Sequence, residues 1–170
     1  MTFTSAIRIC ALCVSLGAMA QVNPSTSTGI KLDTSTAKPR AMEDLTRTAI
    51  ARDYDRAWQS LAAANDSGSA GVLDAYFVGA ARADLGAAIE SQRKLGLQSH
   101  YSSQEHSLKA VFYAPEGDMV ELQDTVRCQI QVLDGKKSIE DQPVVLHYVV
   151  LMTPGADRWV IRQMQAVSHF

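Results

Sequence analysis

In the stretch GDMVELQDTVRCQIQVLDGKK, residues 117–137, apolar side chains recur at every second place through Val120, Leu122, Val126, Cys128, Ile130 and Val132, and Asp124 interrupts the row. A carboxylate on an inward-facing row either takes partners inside the core or serves as a base at a pocket, because an unpaired buried charge is too costly to keep. Counting outward from the expected hairpin turns sets its neighbours. A turn at Glu116 and Gly117 puts Lys109 opposite Asp124. A turn at Asp134 and Gly135 puts Val145 opposite and His147 one diagonal step away, or directly across if the turn has four residues. A four-residue turn at Pro154 to Asp157 brings Arg162 opposite Val149.

One sheet face is therefore expected to gather Lys109, Tyr113, Asp124, His147 and Arg162. Two chemistries fit that set. The first is a satisfied internal network without turnover. The second is a pocket in which Asp124 accepts a proton, His147 orients it, and Lys109, Tyr113 and Arg162 hold a small anionic or apolar ligand. A three-residue bulged turn would send His147 to the other face and dissolve the constellation.

The elements that must position these residues follow from periodicity. Met42, Leu45, Ala49, Ile50, Ala57, Trp58 and Leu61 recur at helical spacing, which predicts an amphipathic helix of about six turns. Asn65 to Gly68 breaks it, and Ser69 can cap a second helical stretch through Val72, Leu73, Tyr76 and Phe77. A third helix is expected from Ala80 to Leu95, stopped by Gly96. Alternation then takes over, with strands near 105–114, 118–133, 138–152 and 158–168 joined as an antiparallel meander. The expected fold is α+β: three N-terminal helices packed on a curved four-stranded antiparallel sheet. On the other sheet face, Tyr148, Trp159 and Ile161 make a greasy patch, expected to serve a homodimer or an envelope protein partner.

The first twenty residues form a polar start with Arg8, an apolar run and a small-residue close at Ala18 and Ala20, the pattern of a cleaved signal peptide at 1–20. The apolar run falls short of the about 20 residues a membrane span needs, so no span is expected after cleavage, and the product is expected to be exported, periplasmic or secreted. An uncleaved N-terminal anchor is the alternative. Residues 21–39 are rich in Ser, Thr, Asn and Pro and read as a flexible tether, leaving 40–170 as the folded domain. With 46% hydrophobic residues the chain can bury a core, and a net charge of -2 with interspersed signs argues against nucleic-acid binding. After cleavage Cys128 is the only cysteine, so no internal disulfide is expected. His100 and His106 have no further ligand at a recognisable spacing, and no phosphate loop or Cys pair is present, so neither a metal site nor a cofactor is expected.

The stretch LDAYFVGAARADLGAAIESQRKLGL, the DGKK between long strands and the terminal DRWVIRQMQAV resemble the cone-shaped superfamily of nuclear transport factor and ketosteroid isomerase. In pattern they are most similar to its non-catalytic envelope members, such as intermembrane-space domains of chloroplast division proteins. The resemblance, over about residues 40–168, implies a cystatin-like cone and an exported domain that binds a small ligand or a protein without turnover. It also implies an alternative, a small isomerase, dehydratase or hydrolase-like enzyme with Asp124 as base in the cone. No Tyr and protonated Asp pair of the isomerase kind matches positions in this chain.

Overall fold

A computed structural model describes residues 30–170, so the assignment of 1–20 as a signal peptide and the first part of the expected tether, 21–29, lie outside the described residues. The part of the tether that is described does not hang free. Residues Leu32–Asp33 (β1) and Lys38–Pro39 (β2) each pair in parallel with the edge of β3 (Leu97–Tyr113), Leu32 against Leu108 and Lys38 against Phe112. Thr36 fixes the link between them by donating its hydroxyl to the Ala110 carbonyl at 3.0 Å. Backbone pairing with β3 and the Thr36 bond thus hold a segment whose composition alone reads as linker.

The first helix, α1, spans Asp44–Ser67. Its buried stripe runs Ile50, Tyr54, Ala57, Trp58, Leu61 and Ala64, at spacings of three and four. Leu45, expected on that stripe, is 86% exposed because the stripe begins a turn later. Gly68 ends the helix at φ 63°, its N–H bonded to the Asn65 carbonyl and the Ser69 N–H to that of Ala64, the Schellman arrangement that needs a left-handed residue. The expected second α-helix is a short 3-10 turn, Ala70–Ala75. It stops there because Tyr76 and Val78 are drawn into backbone bonds with Ile161, at 2.8 and 2.9 Å, which hold Phe77 extended. The next helix, α2, spans Gly79–Lys94 and closes with Arg93 and Lys94 at its negative end.

Strands β3, β4 (Val120–Asp134), β5 (Lys137–Pro154) and β6 (Trp159–Val167) are antiparallel neighbours in chain order, which makes six strands in the sheet with β1 and β2. β3 starts at Leu97 rather than near 105. The helices lie on one sheet face, where Leu108, Leu122, Val126, Val150, Met152 and Ile161 meet the α1 stripe in one core.

Three bulges correct the expected register. On β3 the pairing steps from Phe112↔Glu121 to Ala110↔Leu122, leaving Val111 as the extra residue. On β5 it steps from Ser138↔Leu133 to Glu140↔Val132, leaving Ile139 extra, and on β6 Arg162 is extra between Ile161↔Met152 and Gln163↔Leu151. One extra residue moves everything beyond it to the other face. The Val111 bulge puts Leu108 opposite Asp124 in place of Lys109, and the Ile139 bulge, with a turn closed by Asp134↔Lys137 rather than Leu133↔Lys136, puts Tyr148 there in place of Val145.

Candidate functional site

Asp124 is fully buried, as the break in the alternation requires once the helices cover that face. Its company differs from the expected set. The Tyr54 hydroxyl, from the middle of α1, donates to Asp124 Oδ2 at 2.8 Å. His106 Nδ1, one diagonal step away on β3, lies 2.7 Å from the same oxygen. An ionised carboxylate only accepts, so Nδ1 carries the proton. The His106 side chain is 3% exposed.

Aromatic rings pack round this triad. Trp58, one turn beyond Tyr54, packs tilted against the His106 ring with centroids 4.9 Å apart and meets Tyr148 edge-on at 5.7 Å, and Tyr54 meets His106 edge-on at 6.0 Å. Burial first, and then the Asp124 charge, push the Tyr54 phenol well above its ordinary pKa. Burial, then Tyr101, Cys128 and Asp124, do the same to Tyr148. Two polar atoms of the cluster have no partner among the described residues: Asp124 Oδ1 and Trp58 Nε1. The indole N–H lies beside the Tyr54 hydroxyl without hydrogen-bond geometry.

The bulges scatter the other expected residues. His147 faces outward, 3.1 Å from the Thr125 hydroxyl and edge-on to Phe170 at 5.3 Å, so it does not orient Asp124. Lys109 is exposed on the outer face, paired in register with Asp33. Arg162, the bulge residue itself, is exposed and donates to Thr153 Oγ1 at 2.9 Å. Tyr113 does face inward, but at the turn end of β3, where it donates to Glu43 at 3.2 Å. Tyr148, Trp159 and Ile161, expected as an outer association patch, lie on the core side instead; Ile161 is wholly buried. The same register step that moved His147 outward moved these residues in.

Tyr54 and His106 went unseen in the sequence for different reasons. Tyr54 stands four residues from both Ile50 and Trp58, so the helical stripe already contained it. His106 is recoverable only with the Val111 bulge in place, and no residue pattern announces that bulge. Cys128 is buried as expected, and burial raises its thiol pKa, which disfavours the reactive thiolate.

Two surface clefts among the described residues are large enough for a small ligand. The larger, about 750 Å³, lies between Ile30–Leu32 and the side of α1 that carries Arg47, Ala51, Arg52, Asp55 and Arg56. The other, about 740 Å³, crosses β3, β4 and β5 near Ser103, Arg127 and Val145. Neither is lined by Asp124, His106 or Tyr54. Among the described residues no group of three acidic, histidine or cysteine side chains is placed to hold a metal ion.

No family model and no curated protein matches the chain. Solved structures do. The intermembrane space region of the chloroplast protein ARC6 superposes with a TM-score of 0.55 at 12% identity, over 76% of this chain and 98% of its own. The Kfla4162 protein from Kribbella flavida superposes with a TM-score of 0.50 at 12% identity, over 69% of this chain and 89% of its own. ActVI-ORFA from Streptomyces coelicolor follows at 0.48 and 13% identity, and no residue role is carried from it. At such identities the likeness concerns architecture: this chain shares the fold of the ARC6 intermembrane space region, in keeping with the cone-shaped architecture its sequence resembles.

Proposed function

We propose that this chain is an exported, non-enzymatic domain that binds a small ligand or a protein partner, including a second copy of itself. One observation carries the reading. The only carboxylate on the inner row is fully buried, its hydrogen-bonded oxygen is taken by His106 and Tyr54, and neither cleft reaches it. A general base must come within hydrogen-bond reach of the proton it removes, and a closed aromatic shell of Trp58, Tyr54 and Tyr148 stands in the way. Export rests on the N-terminal pattern of residues 1–20. No described helix is long and apolar enough to cross a membrane.

The test is Asp124→Asn. In a structural network the substitution lowers the melting temperature and leaves ligand or partner binding at the surface unchanged. Self-association is checked by sedimentation of the full chain across a concentration series, and a strict monomer at high concentration counts against a second copy as partner.

A second reading, Asp124 as the base of an isomerase, dehydratase or hydrolase-like enzyme, draws on the unpaired Asp124 Oδ1 and the unpaired Trp58 Nε1 of the same cluster. In that reading His106 replaces His147 as the orienting residue. Asp124→Asn would then abolish turnover at an unchanged melting temperature.

A further inference from the structure

The cleft of about 750 Å³ falls within the 300–1,000 Å³ range of ligand sites. Its walls are chemically asymmetric. One wall is a side of α1 that presents Arg47, Arg52 and Arg56 with Thr48 and Gln59, and the other is the Ile30–Leu32 segment with Lys31. Four cations thus face one carboxylate, Asp55, on a chain whose formal net charge is -2, so the excess is local. Two of the cations are already fixed by acids outside the lining: Arg47 pairs with Asp44 at 3.0 Å, and Arg52 grips the buried Asp53 through two bonds of 2.8 and 3.0 Å. Lys31 and Arg56 have no ion-pair partner among the described residues.

The single acid has a partner of its own: Asp55 Oδ2 accepts from Gln59 Nε2 at 2.8 Å. Between the charged rims lies an apolar floor of Ile30, Leu32 and Ala51, all packed against the core. The outer wall is anchored by the pairing of Leu32 with Leu108. Cationic rims above an apolar floor select a molecule with an anionic head and a hydrocarbon body.

We infer that this groove is the ligand site of the domain and that it takes a small organic carboxylate with an apolar body. The inference deepens the binding-domain reading and rests on it. The test is titration calorimetry of the full chain with octanoate, with octanol as neutral counterpart and inorganic phosphate as bare anion, on the natural protein, the Lys31→Glu/Arg56→Glu double variant and Asp124→Asn. Octanoate binds once per chain, more tightly than octanol or phosphate. The double variant weakens it by about tenfold or more while the melting temperature holds, and added salt weakens it in the natural protein. Asp124→Asn leaves it unchanged.

Equal binding of phosphate and octanoate overturns the inference, as does octanoate binding that ignores the double variant. No octanoate binding at all overturns the inference and leaves the closed-core reading to its own stability test. Octanoate binding lost in a folded Asp124→Asn protein overturns both, because the ligand then enters the cone.

Discussion

Among the described residues two carboxylates are wholly buried, and their surroundings differ. Asp53, on α1, has both oxygens occupied: Arg52 binds each of them, and the Trp159 backbone N–H adds a bond of 2.8 Å to Oδ2. It ties the helix to the start of β6, and its charge reaches water through an arginine that is half exposed. Asp124 sits on the sheet with Oδ2 doubly bonded and Oδ1 bare, among rings that keep water away. A carboxylate with both oxygens bonded is a fastener, whereas one with an idle oxygen is a fastener that retains chemical capacity. The cone keeps that capacity shut in.

Alkali should separate the two regions most strongly. Tyr54, Tyr101 and Tyr148, packed about the Asp124 side, and Cys128 all have pKa values raised by burial, from ordinary values of 10.0 and 9.0. A folded state that holds its protons more tightly than the unfolded chain keeps its full stability below the unfolded pKa and loses it as pH rises toward the folded one. Stability is therefore expected to decline from about pH 9 and to collapse above about pH 10, with tyrosinate absorbance rising together with unfolding. Tyrosinate absorbance rising at ordinary phenol pH without loss of the circular dichroism signal would mean these rings are open to water.

Asp53→Ala comes next. It leaves the Trp159 N–H unpaired in the core and strips Arg52 of its partner, at a cost of about 3 kcal/mol in urea denaturation, with the slope unchanged. Asp124→Asn keeps the shape but weakens two bonds to a charged acceptor, for about 2 kcal/mol. A larger loss there than at Asp53 would reverse the ranking of the two sites. Tyr54→Phe removes one of those donors and is expected to cost about 1.5 kcal/mol. His147→Ala, on the outer face, should stay within about 0.5 kcal/mol of the natural protein.

Much of the architecture was legible because it rests on local rules. The α1 stripe, the Gly68 and Gly96 stops and the alternation of β4 are periodic features that need no knowledge of distant partners. Asp124 stood out for the same reason, as a polar residue in an apolar row. Its neighbours were lost because they depend on register, and register here turns on Val111, Ile139 and Arg162, ordinary residues that happen to be extra in their strands. The misreading of Tyr148, Trp159 and Ile161 as an outer patch is the same error seen from the other side of the sheet. Residues 32–39 were misread because two short strands at a sheet edge need few apolar side chains when a neighbouring strand supplies the hydrogen bonds.

The central claim, that Asp124 is closed off in a network with His106 and Tyr54, is tested most directly by nitrogen-resolved magnetic resonance of the histidine rings. The account predicts a His106 Nδ1 proton that exchanges slowly with water and is lost or displaced in Asp124→Asn, beside the fast exchange of exposed His169. A His106 ring proton exchanging as fast as that of His169 in the natural protein would contradict it.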